Sequence, residues 1–153
     1  MPPDDSERPP AVAALLRRPA VVVQHEVMAN LHAAGFDDVL PGHLAVFAYP
    51  GPHGQRPGVL AARSDASKQA MNHLLHQLES DGYLVRERRS GDQRSRVVLL
   101  TDQGRRVDAV IQQTLTEVDA QWRSALGGEM HTRLAGALRQ LHSVIDARLD
   151  PPG

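Results

Sequence analysis

The stretch SKQAMNHLLHQLES, from Ser67 to Ser80, sets two amides, one amine and two imidazoles along one side of a helical period. Gln69 and Asn72 can bond bidentately to adenine, Lys68 can reach a phosphate or a guanine, and His73 and His76 add donors. Carboxylates are almost absent from that side, as a surface meeting phosphate requires, whereas a merely solvated helix face mixes both signs. Five arginines follow within a short span: Arg86, Arg88, Arg89, Arg94 and Arg96, with Glu87 and Asp92 as the only acids among them. Arginine at a hairpin tip can enter a narrow minor groove, where the potential is more negative. Asp92, two residues before Arg94, is suited to hold that guanidinium in orientation. The candidate DNA contacts are therefore Ser67, Lys68, Gln69, Asn72, His73, His76, Arg88, Arg89, Asp92, Arg94 and Arg96.

Positioning these groups requires a helix followed by a hairpin. Ser67 is a good N-cap, Gly82 sits where a C-terminal cap belongs, and Ala70, Met71, Leu74, Leu75 and Leu78 form one apolar stripe between them. YLVRERR and RVVLL are β-prone runs joined by SGDQRS, whose Gly91-Asp92 offers turn chemistry. Upstream, Val23, Val27, Leu31 and Ala34 recur at helical spacing from Ala20 to Ala34, with Gly35 as a stop. Leu44 to Tyr49 is a short helix ended by Pro50-Gly51-Pro52, and Val59 to Arg63 adds one or two turns. Downstream, Thr101 caps a helix carrying Val107, Val110, Ile111, Leu115, Val118 and Trp122. After Gly127-Gly128, a last helix presents Met130, Leu134, Leu138, Leu141, Ile145 and Leu149. The fold class is mainly α with a small β-hairpin wing: a winged helix-turn-helix over 41–101, flanked by helices over 20–35 and 102–149. These form one domain over 16–150 behind a polar, disordered tail over 1–15. Two long flanking helices cannot bury both faces within so small a domain, which points to a partner subunit and to dimerisation through them.

Bulk composition narrows the function further. The chain has 153 residues and no cysteine, which removes thiol nucleophiles, disulfides and thiolate zinc sites. Its net charge of −1 hides an asymmetry, because residues 56–106 hold ten Lys/Arg against six Asp/Glu while the rest holds seven against twelve. The N-terminus, MPPDDSERPP, is no signal peptide and no segment approaches a membrane span, so a cytoplasmic location and no membrane contact are expected.

In these features the sequence resembles the MarR family of bacterial regulators. The resemblance runs from about Pro41 to Arg105 and rests on LAARSDASKQAMNHLLHQLESDGYLVR, on Asp92 and Arg94 of the hairpin, and on LTDQGR. Two positions depart from the pattern. Ser64 and Asp65 stand where a small or apolar residue and a glycine are usual, and Arg56-Pro57 lacks the usual Ser or Thr cap. The resemblance implies a transcriptional regulator that binds double-stranded DNA as a homodimer on a palindromic operator. It also implies interlocked first and last helices, and release by a small aromatic or phenolic effector held between the dimerisation and DNA-binding parts. Such a pocket belongs among the first helix, the segment Leu44 to Tyr49 and the helix containing Trp122.

Blander accounts compete with each feature. Eight histidines invite a metal, and His73 with His76 or His25 with His32 share helix faces, yet spacing fixes no carboxylate beside either pair, so no metal and no cofactor are expected. Arg105 and Arg106 read as solvated charges, and Trp122 as packing at the dimer junction. No glycine-rich phosphate loop, nucleophile elbow or HExxH is present, and the expectation is a protein that is not an enzyme. The competing reading is a winged-helix module that binds proteins and has lost DNA affinity.

Overall fold

The computed structural model describes residues 11–48, 53–64, 66–88 and 96–149, with the side chain of residue 149 excluded. Helix α1 spans Val12–Ala33, eight residues longer at its start than the expected Ala20. Residues 12–15, expected within a disordered tail, are therefore helical, while the tail over 1–10 lies outside the described residues. Ala13, Ala14, Leu15 and Leu16 are strong helix formers, and their propensity carries the helix through Pro19, whose ring costs one backbone bond. The stop falls where Gly35 predicts it: at φ +87° it lets the Phe36 amide bond back to the Leu31 carbonyl at 2.9 Å.

A turn of 3-10 helix at Pro41–His43 leads into α2, Leu44–Phe47. The expected end of α2 at Tyr49 lies outside the described residues. Helix α3, Pro57–Arg63, starts two residues before the expected Val59. Arg56 gives it no side-chain cap, and Pro57 supplies the start instead, since its fixed φ suits a first helical position whose N–H has no partner. Asp65 lies outside the described residues. Helix α4, Lys68–Ser80, is followed by strands β1, Leu84–Arg88, and β2, Arg96–Leu100, paired antiparallel with Leu84 opposite Leu100 and Arg88 opposite Arg96. Gln55 joins the sheet by a two-bond bridge to Val98, at 3.1 and 2.8 Å. Helices α5, Asp102–Leu126, and α6, Gly128–Leu149, complete the chain, broken at Gly127 alone because Gly128 is already helical.

The core gathers Leu31, Val46, Leu60, Met71, Leu75, Leu78, Leu84, Val98 and Val107, so every element from α1 to α5 contributes to one interior. On α4 the stripe is narrower than expected: Met71, Leu75 and Leu78 are buried and Leu74 half-buried, but Ala70 faces solvent in the first turn. Helices α1 and α5 are tied by the Asn30 amide, which donates to the buried Thr114 hydroxyl at 2.9 Å, while that hydroxyl donates to the Val110 carbonyl at 2.8 Å. The apolar stripe of α6 finds little cover in this chain, with Met130, Leu134, Leu141 and Ile145 all exposed. Among the described residues no helix is long and apolar enough to cross a membrane.

The segment from Gly82 to Gly104 fastens α4, the hairpin and α5 together. Gly82, at φ +81°, closes α4 by sending the Tyr83 amide back to the Leu78 carbonyl at 2.9 Å. Thr101 then makes four bonds: its amide donates to the Tyr83 carbonyl at 3.1 Å, its hydroxyl donates to the Gly82 carbonyl at 2.6 Å and accepts from the Gly104 amide at 3.1 Å, and its carbonyl accepts from the Arg105 amide at 2.8 Å. The Arg105 guanidinium returns to the Leu100 carbonyl at 2.8 Å and pairs with Asp102, so Arg105 supports this joint rather than being only a solvated charge. Tyr83 itself is buried between Phe36 and Phe47, edge-on to both, and donates its hydroxyl to Asp38; burial above all, with that bond, pushes its pKa up to about 12.

Gly104 is required by space. A β-carbon there would stand 2.0 Å from the Tyr83 carbonyl oxygen, a backbone atom that cannot swing aside. Gly104→Ala is expected to cost about 3 kcal/mol, the upper end for overpacking, and to lower the melting temperature by roughly 6–12 °C. An unchanged melting temperature would show that the joint opens freely.

Candidate nucleic-acid interface

Helix α4 begins with a side-chain cap: the Ser67 hydroxyl accepts from the Ala70 amide at 3.0 Å. With Met71, Leu75 and Leu78 turned inward, the helical period turns Gln69, Asn72, His73 and His76 outward on the opposite face, with Lys68 at its edge in the first turn. All of them, and Ser67, are exposed. His73 and His76 also border a hollow of about 410 Å³ whose other walls include Asp38, His43, Gln77 and Asp81. His43 is a satisfied buried histidine there: one ring nitrogen accepts from the Leu40 amide at 3.1 Å, and the other donates to the Gln77 side chain at 3.3 Å. Among the described residues no group of three or more His, Asp and Glu is arranged to hold a metal ion.

The hairpin stands beside α4 and is bolted to it. The Arg86 guanidinium donates to the Glu79 carboxylate through Nη2 at 2.6 Å and through Nε at 3.0 Å, and to an imidazole nitrogen of His76 at 2.9 Å. Its side chain is only 11% exposed. Arg86 is thus a tie between strand and recognition helix, and its role was hidden in a run of similar arginines. The signal that separates it is its partner, Glu79, seven residues earlier. The tie also pairs Glu79, the one acid within α4. His76 accepts from Arg86 through a ring nitrogen, which leaves it less free to donate than His73.

Arg88 and Arg96 face each other directly across the two strands and share a ribbon face with Arg86, so they lie on the side that meets α4. Both are exposed. Like charges directly opposite each other destabilise a hairpin. Ser67, Lys68, Gln69, Asn72, His73, His76, Arg88 and Arg96 are therefore brought to one helix–hairpin unit, with the arginine pair at the far end of the strands from Leu84 and Leu100. Arg89, Asp92 and Arg94 lie outside the described residues. Gln55, bridging the outer strand, was missed in the sequence because a single paired residue leaves no periodic trace.

The tie has a pH dependence of definite sign. The side-chain bond from Arg86 holds the Glu79 carboxyl below its ordinary 4.5, so its contribution is present above that value and is lost as the pH falls through the lowered one. Glu79→Gln should reproduce this loosening at neutral pH, speeding amide exchange in β1 and β2 by up to about fivefold, as expected for a partly exposed ion pair. Unchanged exchange would mean that backbone pairing alone holds the hairpin.

No family model and no curated protein matches the chain. Solved structures do. A MarR family protein of Mycobacterium tuberculosis in complex with salicylic acid superposes with a TM-score of 0.64 at 26% identity, covering 89% of this chain and 98% of that one. NadR in complex with 4-hydroxyphenylacetate gives a TM-score of 0.72 at 20% identity, over 92% of this chain and 97% of the other. The transcriptional repressor CouR bound to a 23-mer DNA duplex gives 0.63 at 22%, over 86% and 92%. Across about nine-tenths of its length, the chain has the fold of the MarR-family winged-helix transcriptional regulators.

Proposed function

We propose that this protein is a cytoplasmic, homodimeric transcriptional regulator that binds a palindromic operator in double-stranded DNA and releases it when a small aromatic molecule binds. The observation that carries the proposal is the joint presentation of Gln69, Asn72 and Lys68 on an exposed helix face and of Arg88 and Arg96 on the adjoining hairpin. Helix α4 enters a major groove, where its amides read base edges, while the hairpin arginines reach the flanking minor groove. Arg89, Arg94 and its partner Asp92 belong to the same wing in this reading. In a dimer, two such helices meet successive major grooves about ten base pairs apart.

Dimerisation is supported by uncovered apolar surface. Leu15, Val21 and Val22 on α1 and Met130, Leu141, Val144 and Ile145 on α6 are exposed, a pattern that costs solubility unless a second copy covers it. Release by a ligand is supported by a cavity of about 870 Å³ bounded by α1, α2, α5 and α6, between the helices of the proposed dimer interface and the DNA-binding part. Trp122 lines it. A ligand there acts by favouring a dimer in which the two recognition helices no longer match the groove spacing. Two proteins of the same fold carry small aromatic acids in their structures, salicylic acid and 4-hydroxyphenylacetate.

Two substitutions test the interface, with binding followed by anisotropy of labelled genomic fragments. Arg96→Ala should weaken binding to every sequence and reduce the slope of log affinity against log salt by about 1. Asn72→Ala should instead relax discrimination at one base position by about 1–3 kcal/mol. Equal affinity of wild type and Arg96→Ala across a salt titration would remove the hairpin from the interface. Absence of any attraction to nucleic acid at low ionic strength would leave a winged-helix module for protein contacts.

A further inference from the structure

The wall of the cavity between α1, α2, α5 and α6 is mainly apolar. Its polar groups are Gln24, Gln112 and His142, and no Lys, Arg, Asp or Glu lines it among the described residues. Arg17 and Arg18 flank lining residues of α1 in the sequence, yet neither lines the cavity. The charge most directly coupled to the wall is negative, because the Gln112 amide donates to the Asp108 carboxylate at 3.3 Å. An ion entering such a space gives up part of its hydration and meets no opposite charge among the lining residues of this chain, which costs more than transfer of a neutral polar group.

We propose that the cavity takes an uncharged aromatic ligand, a phenol, amide or ester, and discriminates against the corresponding carboxylate. This ligand class rests on the effector role proposed above for the cavity. The indole of Trp122 supplies an aromatic surface, the carboxamide of Gln24 makes no hydrogen bond within the described residues, and that amide can both donate to and accept from a neutral polar group. The imidazole of His142 adds a second group on the wall that can hydrogen-bond a neutral polar substituent. Two proteins of the same fold hold aromatic acids in their structures, which makes the acids the informative competitors for a neutral ligand.

Trp122 is the only tryptophan in the chain, and its fluorescence reports occupancy of the cavity directly. The full-length protein is titrated at about pH 8, above the ordinary imidazole range, with two matched pairs: benzamide against benzoate, and 4-hydroxyphenylacetamide against 4-hydroxyphenylacetate. The amides are expected to quench Trp122 and to release bound DNA at concentrations at least about tenfold lower than the acids. Equal or tighter binding of the acids at that pH would overturn the inference while leaving the cavity as the effector site, since a cation would then be reaching it from outside these residues. The His142→Gln variant should keep the preference for the amides; its loss there would overturn the inference equally. If neither class perturbs Trp122 or releases DNA, the effector role of the cavity fails, and the ligand class with it.

Discussion

The Tyr83 carbonyl is the point at which three elements are set against one another. It accepts the Thr101 amide at the end of the hairpin, and the Cα of Gly104 in the first turn of α5 presses against it. Tyr83 is also the residue whose amide closes α4, while its ring fills the core between Phe36 and Phe47. A single residue thus fixes where the recognition helix stops, where the hairpin returns and where the long helix departs. Because the contacts are backbone to backbone, no side-chain rotation can relax them. The orientation of the hairpin against α4 follows from this joint, and the Arg86 tie to Glu79 and His76 stiffens it from the other side.

Rigidity at that joint matters because the proposed interface is spread over two elements. Groups that read base edges must hold their geometry to within a fraction of an ångström, and they do so best on a helix whose back is locked into a core. Met71, Leu75 and Leu78 supply that lock. The helices at either end of the chain behave differently. Leu15, Val21 and Val22 of α1 and Met130, Leu141, Val144 and Ile145 of α6 remain exposed, and the cavity lies where this uncovered surface meets the core.

Much of the architecture was legible because its determinants are local. Ser67 and Gly82 bound α4 within one residue of the observed ends, Gly35 ends α1, and the β-prone runs form the hairpin. The start of α1 was not legible, because Pro19 is locally a breaker and only the propensity on both sides of it overrides that signal. The outward turn of Ala70 was missed because a first-turn residue follows the helix period without any core beneath it. Within the candidate site, composition identified the arginines but could not sort them. Arg86, Arg88 and Arg96 share a ribbon face, and which one is consumed by a tie depends on the helix lying under the strand. The Gln55 bridge is a tertiary event with no local pattern at all.

The opposed pair Arg88 and Arg96 has a thermodynamic side as well. The β-carbons of directly paired residues lie about 4.5–5.5 Å apart, within the screening distance of about 8 Å in physiological salt, so two arginines rooted there give the unbound hairpin an unfavourable self-energy unless their side chains splay. Mobile anions lower that energy, and cations compete for the phosphates the hairpin would otherwise meet. Both halves of the equilibrium then move in the same direction as electrolyte is added, and the ionic milieu itself becomes a competitor for the wing.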